Sequence, residues 1–178
     1  MGVFRGFSVV VAAAFVLSAC AAPSSPPPPP SPSRPAPSSS APPAGPLVIT
    51  AGVVEAALGH RAVVLTLTNH GEVTRTITGY PEVRVLDGNG RALDVLVKRD
   101  SSYMARDPGP KPVTLAPGGH LLAVVSWSNT VTDGDPSTGA AIAVAVAPGE
   151  PPRTLPVRTD LGTTGEVTVN AWAAELLH

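Results

Sequence analysis

The chain has 178 residues, 43% hydrophobic side chains, 22 prolines and a single cysteine, which excludes a disulfide framework and a thiolate metal cluster. All 13 acidic residues follow Pro46, whereas two of the 12 basic residues, Arg5 and Arg34, precede it, so the portion after Pro46 carries −3 against −1 for the whole chain. A mildly acidic domain lacks the basic face that neutralises nucleic-acid phosphates and the polybasic patch that holds a protein on anionic lipid.

Residues 1–20 read as an export signal. Arg5 is the positive n-region, and Phe7 to Leu17 is an uncharged apolar run, too short for the roughly 20 apolar residues of a membrane-spanning helix. Leu17-Ser18-Ala19-Cys20 fits a bacterial lipobox at all four positions. Cleavage after Ala19 would leave Cys20 as the mature N-terminus, with a diacylglyceryl group on its thiol, and two acyl chains suffice for a stable anchor. The other reading is an ordinary secretory peptide with a chance cysteine. Residues 21–46 are almost entirely Pro, Ser and Ala, with an unbroken run from Pro26 to Pro30. Such a stretch has few amide donors and little to bury. It is expected to be an extended, semi-rigid spacer reaching on the order of 80 Å, rather than a ligand for proline-recognising modules.

Residues 47–178 carry β signals throughout. From Arg61 to Asn69, Val63, Leu65 and Leu67 alternate with Val64, Thr66 and Thr68, which predicts a half-buried strand with a hydroxyl-bearing outer face. Asn69-His70-Gly71 closes it, and a short strand near 74–78 stops at Gly79-Tyr80-Pro81. A hairpin is predicted next, running from Val83–Leu86 through Asp87-Gly88-Asn89-Gly90 into a return strand over 92–98. Residues 100–112 read as a polar loop, and Val113–Leu115 as a strand ended by Ala116-Pro117-Gly118-Gly119. A long apolar strand follows over 120–127, with Leu121, Ala123, Val125 and Trp127 on one parity. After a loop over 128–139 come a strand at 140–146, an edge strand around Leu155 and Val157 weakened by Pro156, and a closing strand from Glu166 to Trp172. Ala173–Leu177 is the one stretch with a helical look. About eight or nine strands, each bounded by turn residues, predict an all-β chain: an immunoglobulin-like antiparallel β-sandwich.

The blocks Leu65-Thr66-Leu67-Thr68-Asn69, Ile77-Thr78-Gly79-Tyr80-Pro81, Val85-Leu86-Asp87 with Gly90, Val113 to Gly119, and Trp127 together resemble an actinobacterial family of secreted proteins and lipoproteins, domain of unknown function 4232. The resemblance covers about residues 47–150 and implies a β-sandwich outside the cytoplasm, with no activity and no catalytic residue attached. It also implies a departure. Members commonly have a cysteine before the Gly-Tyr-Pro element and another after the tryptophan strand, which look like a disulfide pair. Here Arg75 stands at the first position and residues 128–135 contain no cysteine.

No catalytic constellation is legible, so the chain is not expected to be an enzyme. Ser126, His120 and Asp133 are the residue types of a triad without its motif. His60, His70, His120 and His178 have no ligand spacing. Thr132 to Ser137 has too few oxygen ligands for a calcium loop and reads as Asx-turn chemistry. Trp127 and Trp172 are expected in the core. Tyr103, Met104 and Arg106 lie in a loop without strand pattern and form the candidate contact loop; folding back over one end of the sandwich is the competing expectation. No cofactor, metal or nucleic acid is implied. The expected function is a binding or interaction module on the outer face of the cell membrane, held through its N-terminal lipid and meeting an envelope protein or wall component. A small-ligand carrier or hydrolase acting on envelope substrates is the alternative.

Overall fold

A computed structural model describes residues 46–178; the expected export signal over 1–20, the expected lipidation site Cys20 and the expected linker as far as Gly45 lie outside the described residues. These residues form twelve strands and no helix: β1 (Leu47–Ala57), β2 (His60–Asn69), β3 (Arg75–Thr78), β4 (Glu82–Leu86), β5 (Leu96–Arg99), β6 (Pro112–Leu115), β7 (His120–Ser128), β8 (Ser137–Gly139), β9 (Ala141–Ala145), β10 (Arg153–Leu155), β11 (Thr159–Gly162) and β12 (Glu166–Val169). One sheet has the order β1-β2-β7-β12-β5 and the facing one β10-β9-β4, and β11-β8 and β3-β6 are two-stranded ribbons. The chain is the all-β sandwich that its alternation predicts, with more and shorter strands.

The alternating side chains of β2 and β7 build the core. Val63, Leu65 and Leu67 from β2 and Leu121, Ala123, Val125 and Trp127 from β7 are buried, together with Ile142 and Val144 from β9 and Trp172. Each such aliphatic side chain contributes about 1.5–3 kcal/mol by leaving water. The ribbons add Ile77, Leu115 and Leu161. The interior between the sheets is thus occupied by side chains.

Four features depart from the sequence reading. β1 carries a bulge between Ala51 and Val54, which breaks the two-residue alternation and hides an eleven-residue strand from pattern reading. The Asp87–Gly90 turn forms, with the Asp87 carboxylate accepting from the amides of Asn89 (2.8 Å) and Arg91 (2.9 Å). The return strand, however, holds to β4 only through the Leu86–Ala92 bridge. The chain then crosses to the other sheet, where β5 pairs with β12 in parallel, Leu96 opposite Glu166. Turn chemistry fixes the first pairs of a hairpin, not the partner of the strand beyond. β8 and β11, absent from the sequence reading, pair with each other across 20 residues of chain. Ala173–Leu177 is extended rather than helical, because Ala173 and Leu177 bridge to Leu122 and Arg106.

The two positions singled out by the resemblance, at which this chain lacks cysteine, are far apart. Arg75 pairs with Leu115, whose carbonyl meets Asn69, at the end of the sandwich where β7 begins. Ser128 is the far end of β7, paired with His60. Eight residues of strand put these positions on the order of 25 Å apart, several times the Cα separation of about 5.5–6 Å that a disulfide spans. Arg75 and Ser128 therefore lie at opposite ends of the sandwich in this chain.

Candidate functional site

The sandwich has two distinct ends. At the end where Pro46 leads into β1, Asn69 is the organising residue. Its side chain is fully buried, donates to the carbonyls of Val73 (2.9 Å) and Leu115 (3.1 Å) and accepts from Gly71 N (3.0 Å). Its backbone bonds Gly118 and Gly119, and the next residue, His70, bonds Pro46. The amide side chain thus ties the turn after β2 to the end of β6, and the backbone of Asn69 and His70 adds the 116–119 turn and Pro46.

The opposite end is built by the β1–β2 turn, the loop after β7 and the strap over 100–107. The turn residues Leu58 and Gly59 both have positive φ, 47° and 80°, which is the type I′ geometry that joins two-residue hairpins. Gly59 O accepts from Asn129 N (3.0 Å), so the tip is fixed to the loop after β7. Below it, Asp160 gathers Trp127 Nε1 (2.9 Å), Asn129 Nδ2 (3.2 Å) and the Arg61 guanidinium (3.4 Å). Burial opposes the charge on Asp160, but these donors outweigh it and hold its carboxyl below the ordinary range.

The strap crosses the outer face of the larger sheet. Ser102 Oγ accepts from Met104 N and Ala105 N at 3.2 and 3.1 Å, closing a turn that directs Ala105 and Met104 onto Ala62, Val64 and Val124. This cover is why Val124 and Ser126 are buried although they lie on the strand face away from the core. The strap is clamped by Asp107, which accepts from Tyr80 Oη (2.6 Å) and Ala171 N (2.9 Å). The Asp107 hydrogen bond first, then burial and the Asp107 charge, push the Tyr80 phenol up to about 12. A raised tyrosine pKa means the neutral form is favoured in the folded state. The stability it supplies is complete below the unfolded value near pH 10 and is lost as pH rises through about 12. Ultraviolet titration should show one phenol ionising near 12, and Tyr80→Phe should remove both that step and the corresponding loss of stability in alkali.

The sequence-chosen contact residues therefore separate. Tyr103 is 65% exposed and its ring stacks on that of His60, with centroids 5.1 Å apart and planes 16° from parallel. Met104 turns inward beneath the strap. Arg106 is exposed, with its backbone bonded to Leu177. Under Tyr103 lies a cavity of about 260 Å³ lined by hydroxyls, among them Ser101, Ser126, Ser128 and Thr168, with Glu166 at its side. Leu58 and Val131, 86% and 59% exposed, stand at the same end. Sequence reading missed Leu58. Its only signal, Leu-Gly between two strands, depends on recognising β1.

The remaining candidates are dispersed. Ser126 and His120 are six residues apart on β7, roughly 20 Å, and do not meet. Among the described residues no three His, Cys, Asp or Glu side chains gather as metal ligands. Asp133 Oδ1 accepts from Gly134 N, a local turn contact. Trp127 and Trp172 are core residues, as expected.

The blocks that carry the resemblance have structural work to do: Asn69 latches the loops, Tyr80 clamps the strap and Trp127 anchors Asp160. No curated protein and no solved structure matches the chain. The family model described as Domain of unknown function (DUF4232) matches residues 43–173. That span takes in every strand from β1 to β12, and the chain belongs to the DUF4232 family.

Proposed function

We propose that this chain is a lipoprotein, anchored through Cys20 to the outer face of the cytoplasmic membrane, whose sandwich is a binding module presented on the proline-rich linker. The contact surface is the end remote from Pro46, formed by Leu58, Val131 and Tyr103, and the partner is an envelope protein or wall component. The observation that carries this reading is Leu58. A type I′ turn takes Asn, Asp or Gly at its central positions, and a leucine with positive φ costs about 1–2 kcal/mol. Leu58 is 86% exposed, so no packing offsets that cost. Fold stability alone selects asparagine there; a side chain that serves a contact accounts for the leucine. The placement of this end supports the reading, since eleven residues of β1 separate it from Pro46 by about 35 Å.

Leu58→Asn should therefore raise stability by about 0.5–1 kcal/mol while abolishing recovery of the partner from envelope extracts. Partner recovery equal to wild type would sink the contact surface. Cys20→Ser should shift the chain out of the membrane fraction or leave it uncleaved; normal processing and retention would remove the anchor.

A further inference from the structure

The edges of the two sheets part along one flank. β1 and β10 are edge strands of different sheets, and between them runs a groove of about 700 Å³, within the range of small-ligand sites. Its floor is apolar: Leu47 and Ile49 from β1 and Val146 after β9. Ile49 belongs to the core, and Leu47 and Val146 pack against it, so the groove opens onto the margin of the core. Three charged side chains line it, Arg75, Arg153 and Glu150. Among the described residues, the ion pairs are Arg61–Asp160, Arg84–Glu82 and Lys98–Glu166, so neither groove arginine is held by a carboxylate.

An apolar trough with two uncommitted guanidinium groups matches a ligand that is apolar along its length and anionic at one end, since guanidinium pairs with carboxylate or phosphate through charged hydrogen bonds. An added peptide strand fits less well. Pro46 precedes β1, and Pro151 and Pro152 precede β10, and prolines at sheet edges block strand addition. We propose that this flank groove binds a single-chain amphiphile with an anionic headgroup, its chain along Leu47, Ile49 and Val146 and its headgroup between Arg75 and Arg153. The site lies apart from the Leu58 end and stands or falls independently of it.

The test is photocrosslinking of the full chain with three diazirine-bearing long-chain probes: a fatty acid, an alkyl phosphate and an alcohol. Peptide mapping should place the crosslinks of an anionic probe within 46–49 or 146–154. Their yield should fall about tenfold with the alcohol, as for loss of one charged hydrogen-bond pairing. It should fall similarly in Arg75→Gln/Arg153→Gln, whose changes are at the surface. Comparing the two anions separates a carboxylate from a phosphate preference, and inorganic phosphate should not compete, because the floor demands the chain. Crosslinks confined to other segments, equal yield from the alcohol, no crosslinking, or an unchanged yield in the double variant would each overturn the proposal. The alcohol comparison uses the unaltered protein, so it decides the matter even where the double variant folds poorly.

Discussion

Replacing Asn69 by alanine should lower the stability of the sandwich by about 3 kcal/mol or more, a large part of what holds a domain of this size folded. The side chain removed makes three hydrogen bonds, to Val73, Leu115 and Gly71, and alanine leaves all three backbone groups without that partner. The Leu115 bond is buried, so water does not replace it, and each such orphaned group costs about 1–3 kcal/mol. Asn69→Asp keeps the acceptor for Gly71 but turns a donor toward two carbonyls into a buried negative charge, and should be no milder. Urea unfolding is the measurement: the midpoint should fall with an unchanged m-value. A loss under about 1 kcal/mol would show that the loops at this end hold together without the latch.

Gly162→Ala should be comparably damaging, and its effect should reach the contact end. Gly162 has φ +55°, and a Cβ there would collide with the backbone of Asn129 and Thr130. A side-chain neighbour can rotate away, but this one is main chain, fixed by the Thr163 N to Thr130 O bond (3.0 Å) and the Asn129 N to Gly59 O bond (3.0 Å). Left-handed backbone on a non-glycine residue and overpacking each cost about 1–3 kcal/mol. The expected result is a stability loss of about 2–5 kcal/mol together with displacement of the 129–131 loop, so partner recovery falls beyond what unfolding explains. Wild-type stability in Gly162→Ala would mean that the loop yields freely and that the far end is not rigid.

These two residues differ in how visible they are in the sequence. Asn69 stands at the end of a clean alternation, and a turn there was legible, although its reach to Leu115 was not, because a contact 46 residues away leaves no local trace. Gly162 gave no signal, since β11 is four residues long and its neighbour is another loop. The same contrast runs through the fold. β2, β4, β7 and the two tryptophans were readable from alternation that follows burial on one face. β1 was not, because its bulge shifts the parity. The fate of the 92–98 segment was not, because Leu93 and Val95 pack toward the core whether the chain stays beside β4 or crosses the sandwich. For the candidate site, the absence of strand pattern singled out the loop with Tyr103. That Met104 points inward follows from a second buried face on β7, which its sequence Leu121-Leu122-Ala123-Val124-Val125 shows only as a continuous apolar run.

The position of β12 bears on the order in which the molecule can assemble. Among the described residues it is the last strand, yet it sits between β7 and β5 and is the one strand to which β5 is paired. A chain emerging from its N-terminus can form the β1–β2 hairpin early, but the larger sheet has a gap until residues 166–169 arrive. Partners so far apart in sequence make for slow folding. During synthesis the smaller β10-β9-β4 sheet can close once Leu155 has emerged, but the larger sheet stays incomplete until almost the full length is available.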